Sequence, residues 1–413
     1  MAANRDVVVT GMGAVTAVGV GVEALRQAGR AGKTGVGPIT EFDVTNLPVK
    51  FAATVRGFDP STVLDAKQVR LAARVVQLAM GAAMEACGSD APGALGDVTR
   101  VGTIVGTSAG GLDVIAEQMD VLAVKGPRRV SPFSVPQLMD NASAAWIALR
   151  WGFRGPAYSM STACATGLDT LGVAFDMIRA GRLDAVLAGG SDAAVIPYML
   201  ASFSAARLHS HANDTPELAS RPFDRDRDGF VTGEGSALMM LETRERAQAR
   251  GATILGRVLG YGCCSDTQEQ IITTNPKGEG LAAAIRSAME QAKVTPADIG
   301  YISAHGMGSK TEDISEANAI RAAYGEHASR IPVGATKSMT GYTMGAAGAV
   351  SALAGLVAVH DGLLLPHVTF RNPDPAIQLN IIKGEAQKQP VKVAAVHAMG
   401  FGGHNACLIL GAP

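Results

Sequence analysis

The chain has 413 residues, 47% hydrophobic and 18% charged, with a formal net charge of −1. That length supports a large buried core in one or two domains, and the near-neutral balance argues against a nucleic-acid binder, which carries a basic excess. Five cysteines with no CxxC pair argue against a disulfide framework and a structural zinc site. No apolar run is long enough to span a membrane, and the segment before Val7 lacks the charged and apolar regions of a signal peptide, so a cytoplasmic protein is expected.

Short runs of buried-strand character alternate with longer helical patterns, the signature of an α/β fold. In the first half, strands are predicted at Val7–Thr10, Val101–Val105, Ala157–Ser161, Ala185–Ala188 and Ala237–Leu241. Helices are predicted at Val22–Ala28, Gln68–Ala86 and Leu168–Ala180. After residue 250 the series resumes, with strands at Ile254–Tyr261, Ile299–Ser303, Val333–Gly334, Val393–His397 and Ala406–Leu410. The helices of this half are Leu281–Ala292, Ile314–Tyr324 and Gly345–His360. The division is therefore expected at 1–250 and 251–413, two halves of similar element order with no linker composition between them. Pro38–Pro60, Lys125–Asp140 and Ser202–Gly235 read as irregular segments.

Four positions carry candidate chemistry. Cys164 ends a strand-like stretch and precedes an apolar helical pattern, which places a thiol at a helix N-terminus. Unpaired N–H groups and the helix dipole favour a thiolate there, and a nucleophilic thiol implies chemistry through a thioester. A lone cysteine is otherwise a small buried hydrophobe, which is the reading for Cys87, Cys263, Cys264 and Cys407. His305 follows a strand and precedes Gly306. Lys337 sits between a strand and a small-residue helix, and a buried lysine needs an anionic partner, for which Asp313 and Glu316 are candidates. Gly400-Phe-Gly-Gly403 forms a tight turn between two strands, whose exposed N–H groups suit a developing oxyanion.

The order and spacing of these motifs resemble those of the β-ketoacyl-acyl carrier protein synthases, over nearly the whole chain. The likeness includes Val9-Thr-Gly-Met-Gly13, Ser131-Pro-Phe-Ser-Val-Pro136, Thr162-Ala-Cys164, Arg221-Pro-Phe-Asp224, Ala304-His-Gly306, Thr336-Lys-Ser-Met-Thr-Gly341 and Gly400-Phe-Gly-Gly403. The resemblance implies a thiolase-like fold, a five-layered α-β-α-β-α sandwich built from two duplicated halves. It also implies dimers, with the segment before Cys164 at the contact, and no cofactor beyond the phosphopantetheine of an acyl carrier protein that delivers the substrate. By the same resemblance Cys164 takes the acyl group, His305 is the first catalytic histidine, and the N–H groups of Cys164 and Phe401 form the oxyanion hole, with Phe401 also a gate. Lys337, Asp313 and Glu316 are supporting groups. Phe203, Ser309, Thr274, Ala109 and Phe133 are substrate-binding candidates.

The chain departs from the family pattern on one side of this constellation. Tyr342 stands where the second catalytic histidine belongs, and Met307 replaces a threonine that contacts pantetheine or malonyl groups. Three functions follow as alternatives. One is an elongating synthase that joins an acyl group to a malonyl-derived carbon in fatty acid or polyketide synthesis. Another is a non-elongating relative that cyclises or transfers the acyl group. The third is a non-catalytic chain-length partner in a heterodimer. Retention of Cys164 argues against the third. Lys67, Arg70, Arg74 and Lys125-Gly-Pro-Arg-Arg129 form the candidate docking patch for an acidic carrier protein.

Overall fold

A computed structural model describes residues 5–88, 96–267, 271–272 and 274–413. The residues before Arg5, part of the N-terminal segment considered above, lie outside it. Each predicted strand is present, most of them longer than expected, as with Val7–Thr16, Ala185–Ala193 and Glu234–Thr243. Ala157–Ser161 instead contracts to the two residues Ala157–Tyr158.

Eleven strands follow one another across a single hydrogen-bonded path: Asn380–Ile381, Pro332–Gly334, Tyr301–Ser303, Val393–Gly400, His404–Gly411, Gly256–Ser265, Val7–Thr16, Glu234–Thr243, Ala185–Ala193, Val101–Gly106 and Ala157–Tyr158. The middle of that path is thin. Val7–Thr16 and Gly256–Ser265 pair only at Val7–Val9 against Gly256–Val258. On either side of this seam the order repeats. Numbering five strands along each half, both run 1-5-4-2-3 outward from the seam. In both, strands 1 and 5 and strands 5 and 4 are antiparallel, while 4 and 2 and 2 and 3 are parallel. The duplication is far plainer in topology than in residue identity.

Two helices fill the space between the half-sheets. Thr166–Arg179 packs on the first and Ala347–Asp361 on the second, and the two pack on each other. A Cβ on Gly167 would lie 2.8 Å from the backbone N of Ala349, and one on Gly348 would lie 2.7 Å from that of Leu168. The helices therefore approach backbone to backbone, which only glycine allows. Ala347–Asp361 is apolar on all sides, as a helix between two sheets must be. Extended to Met344–Asp361, it is the one described helix long and apolar enough to cross a membrane, and 89% of it is buried inside the protein.

Arg74–Cys87 and Ala142–Trp151 cover the outer face of the first half-sheet. Glu279–Ala292 covers that of the second, with Glu312–Tyr324 packed against it. Three main apolar clusters correspond to these layers: one between the sheets, one under each outer face. The architecture is the five-layered α-β-α-β-α sandwich.

The helix predicted at Gln68–Ala86 is two helices. Asp65 and Gln68 close a capping box on Ala66–Leu71. Ala72 and Ala73 are extended, and Arg74–Cys87 starts afresh. Helices Leu112–Lys125, Ser134–Leu138 and Pro197–Ala205 occupy stretches with little amphipathic signal. The first of these leaves Ile115, Met119, Leu122 and Val124 exposed at 37 to 83%. Of its residues only Val114 is buried in this chain's core, so the usual helical periodicity against a core is missing.

Candidate active site

The backbone bends sharply before Cys164. Ala163 adopts φ +51°, a left-handed conformation that costs a non-glycine residue roughly 1–3 kcal/mol. The bend delivers Cys164 to the head of helix Thr166–Arg179, between the half-sheets. Among the described residues, neither the Cys164 nor the Phe401 backbone N–H has a hydrogen-bond partner. The Gly400 turn lies directly against the bend. A Cβ there would come 2.8 Å from the carbonyl oxygen of Thr162 and 3.0 Å from the Cys164 nitrogen. Two free donors from different halves are thus held beside the sulfur, the arrangement a thioester oxyanion requires.

The thiol itself differs from expectation. Cys164 is 7% exposed, and burial pushes its pKa up to about 11, against the opposing pull of the Tyr342 hydroxyl and the Lys337 charge. The resting group is a thiol, because loss of solvation outweighs the helix terminus.

Tyr342 occupies the centre of the site. Its backbone is pinned by bonds from its N–H to the Val231 carbonyl (2.7 Å) and from the Gly233 N–H to its own carbonyl (2.8 Å). Its hydroxyl opposes the rise in the Cys164 pKa and lies 3.3 Å from His305 Nε2. The Met399 N–H donates to His305 Nδ1 at 3.2 Å, so Nδ1 is unprotonated and Nε2 carries the hydrogen. His305 Nε2–H therefore donates to the Tyr342 oxygen. Burial, then the neighbouring Lys337 charge, holds His305 well below the usual imidazole range and therefore neutral.

Lys337 is placed differently from the sequence expectation. Its Nζ donates to the His305 carbonyl oxygen and lies 3.5 Å from Nδ1, not on a carboxylate. Burial lowers it to about 8, partly offset by the more distant charge of Glu316. Glu316 serves the backbone, accepting from the N–H groups of His305 and Gly306 at 2.7 Å each. Asp313 accepts from Phe223 N–H at 2.6 Å and Gly308 N–H at 3.0 Å, and burial raises it to about 7. These carboxylates shape the loop that carries the imidazole. Behind them His397, missed in the sequence, donates from Nδ1 to Glu316 at 3.3 Å, and Tyr324 lies 3.0 Å from its Nε2.

Two cavities meet at Tyr342 and Phe401. The larger, about 240 Å³, is lined by Cys164, Ser108, Met199, Phe203, Phe230 and Met344 among others. Phe230 meets both Phe203 and Tyr342 edge-on, at 5.1 and 5.2 Å between ring centroids. The smaller, about 20 Å³, is lined by His305, Met307, Thr274, Asp266 and Glu312 among others, and has room for little more than one water. Sulfur and imidazole therefore face different cavities, with the phenol between them. Ser108, not Ala109, lines the larger cavity. Phe133 is 51% exposed and lines neither. Ser309 Oγ accepts from the Glu312 N–H at 3.1 Å, at the start of a helix, and is likewise absent from both linings. Neither Phe230 nor Met344 was singled out as a lining residue from sequence.

Two family models match, "Beta-ketoacyl synthase, N-terminal domain" over residues 4–247 and "Beta-ketoacyl synthase, C-terminal domain" over residues 255–371. The chain is 38% identical over 409 residues to the 3-oxoacyl-[acyl-carrier-protein] synthase 2 of Coxiella burnetii, covering 98% of each chain. It is 39% identical over 407 residues to the protein of the same name from Synechocystis sp., covering 98% of this chain and 97% of the other. Among solved structures it is similar to the ishigamide ketosynthase/chain length factor, at TM-score 0.92 and 34% identity over the whole of both chains. A β-ketoacyl synthase from Burkholderia phymatum matches at TM-score 0.90 and 31% identity, over 99% of this chain and all of the other. A type II polyketide ketosynthase, solved with its acyl carrier protein, matches at TM-score 0.91 and 30% identity, with the same coverage.

Proposed function

The chain belongs to the β-ketoacyl synthase family of condensing enzymes, and on that premise we propose that Cys164 accepts an acyl group from the phosphopantetheine of an acyl carrier protein and holds it for carbon–carbon bond formation. The observation that carries this reading is the pairing of a reachable sulfur with two unpartnered N–H groups, those of Cys164 and Phe401, beside an apolar cavity of about 240 Å³. The sulfur attacks the thioester carbonyl, and the carbonyl oxygen takes up charge between the two donors. Collapse breaks the pantetheine C–S bond, the proton from Cys164 passes to the departing pantetheine sulfur, which leaves as a thiol, and the acyl chain remains along Phe203 and Phe230. In the following step Tyr342 O–H and His305 Nε2–H are the donors available to a second carbonyl.

A second course after loading is favoured by the position of Tyr342. The phenol lies between sulfur and imidazole, so a malonyl carbonyl meets a hydroxyl where the family presents a second imidazole. That supports cyclisation or transfer of the acyl group without decarboxylation. The assay is incubation with acyl-carrier and malonyl-carrier substrates. Release of CO2 with a β-ketoacyl product identifies elongation. A Cys164 adduct without CO2 identifies the second course. Absence of both overturns the catalytic reading.

The carrier protein is proposed to dock by charge complementarity on Lys67, Arg70 and Lys125–Arg129, all exposed except Gly126. Arg74 leaves that patch: its guanidinium pairs with Glu234 at 2.9 Å. A second copy, or a chain-length-type partner, is proposed to cover the apolar face formed by Met119, Val124, Phe133 and Val135 with the exposed strand Ala157–Tyr158.

A further inference from the structure

The smaller cavity carries an electrostatic bias that the site's chemistry does not explain. Among the described residues two carboxylates, Asp266 and Glu312, line it, and no lysine or arginine does. The two are not equivalent. Asp266 is engaged by strong donors, the Gly280 N–H at 3.0 Å and the Asn405 side-chain amide at 3.1 Å. Glu312 is 6% exposed, and among the described residues its carboxylate receives only two hydroxyls, Thr274 at 3.3 Å and Thr311 at 2.7 Å. Its charge is the less neutralised and is fixed at the wall shared with His305. The effect of that field already registers on a neighbour. Burial, and then the neighbouring Cys164 sulfur, push Tyr342 well above the ordinary phenol range, and Glu312 adds to the same shift.

We propose that Glu312 is a specificity-determining residue, which keeps acceptors bearing a free carboxylate away from His305 and selects an acceptor whose reacting end is uncharged or cationic. The proposal rests on the reading that Cys164 is first acylated. A malonyl half-acid entering beside His305 brings a carboxylate into a nearly dry space already holding two. Like charges there repel with little solvent screening. Met307 adds no hydrogen-bond donor, and Tyr342 supplies a neutral hydroxyl where a second imidazole could have become a cation. Three independent features of one cavity thus disfavour the same anion.

The test compares malonyl-pantetheine with its neutral methyl ester as competitors of Cys164 acylation by octanoyl-pantetheine. In the unaltered protein the ester is expected to compete at least tenfold better. Glu312→Gln is expected to improve competition by malonyl-pantetheine about tenfold, and Glu312→Asp to leave it poor. Equal or better competition by malonyl-pantetheine in the unaltered protein overturns the proposal, whether or not the variants fold. So does an unchanged value in a folded Glu312→Gln variant. Failure of octanoylation in the unaltered protein instead defeats the acyl-enzyme reading on which the proposal rests.

Discussion

The two halves build the same bend and use it differently. Aligning Gly167 with Gly348, where the central helices touch, sets Cys164 opposite Gly345 and Ala163 opposite Met344. Ala163 and Met344 both take left-handed φ, +51° and +47°. In the second half the N–H of Gly345 donates to the Asp192 carboxylate at 2.6 Å, and a Cβ there would lie 2.6 Å from that oxygen. Asp192 also receives the Ser108 N–H and the hydroxyls of Thr107 and Ser108. The second bend therefore shows what this backbone geometry attracts, an oxygen anion. In the first half the corresponding N–H is left open, a thiol stands beside it, and the Gly400 turn takes the place of a carboxylate. One copy of the device is filled and holds the halves together. The other presents its N–H beside the Cys164 thiol.

The contrast can be broken at several points. Gly400→Ala forces a methyl group against the Thr162 carbonyl and the Cys164 nitrogen, displacing the Phe401 donor. Acylation should slow by about 10²-fold, the typical loss of one oxyanion donor, with little change in urea midpoint. Equal rates would remove Phe401 from the oxyanion site. Asp192→Asn weakens the filled bend. Hydrogen bonds to a charged acceptor contribute about 1.5–3 kcal/mol each, and unfolding titrations should register a loss of about 2 kcal/mol. A stability within 0.5 kcal/mol of the parent, roughly the scatter of neutral surface changes, would mean the carboxylate is not what the bend requires.

Tyr342→Phe is a smaller change. Loss of the hydroxyl that favours the Cys164 thiolate should slow thioester attack about fivefold, in line with ~1 kcal/mol for a single bond. The pH profile sharpens the same point. A thiol raised to about 11 ionises only in alkali, so alkylation of Cys164 by iodoacetamide should climb about tenfold per pH unit from 8 to 10 without levelling. Lys337, lowered to about 8, loses its charge near the start of that range, which pushes the thiol further up and flattens the climb there. A plateau below pH 9 would mean that the sulfur is a thiolate at rest.

Sequence pattern reached some of this and stopped for identifiable reasons. The strand–bend–helix around Cys164 and the strand leading to His305 were legible because local periodicity changes there from two to nearly four. The repeated strand order was only suggested, since it depends on which strands pair across hundreds of residues. Lys337 was expected on a carboxylate, and it lies instead on the carbonyl of His305, a contact set by tertiary placement. The two-cavity division was invisible because it depends on where the Tyr342 ring points, which the Val231 and Gly233 backbone determines. Leu112–Lys125 was missed because only Val114 of its apolar side chains is buried in this chain's own core.

The most direct measurement is peptide-level mass spectrometry after brief exposure to an octanoyl-loaded carrier protein. A single octanoyl adduct is expected, on the peptide containing Cys164, formed faster at pH 9 than at pH 7 and absent in Cys164→Ala. An unmodified Cys164, or acylation spread over Cys263 and Cys264, would contradict it.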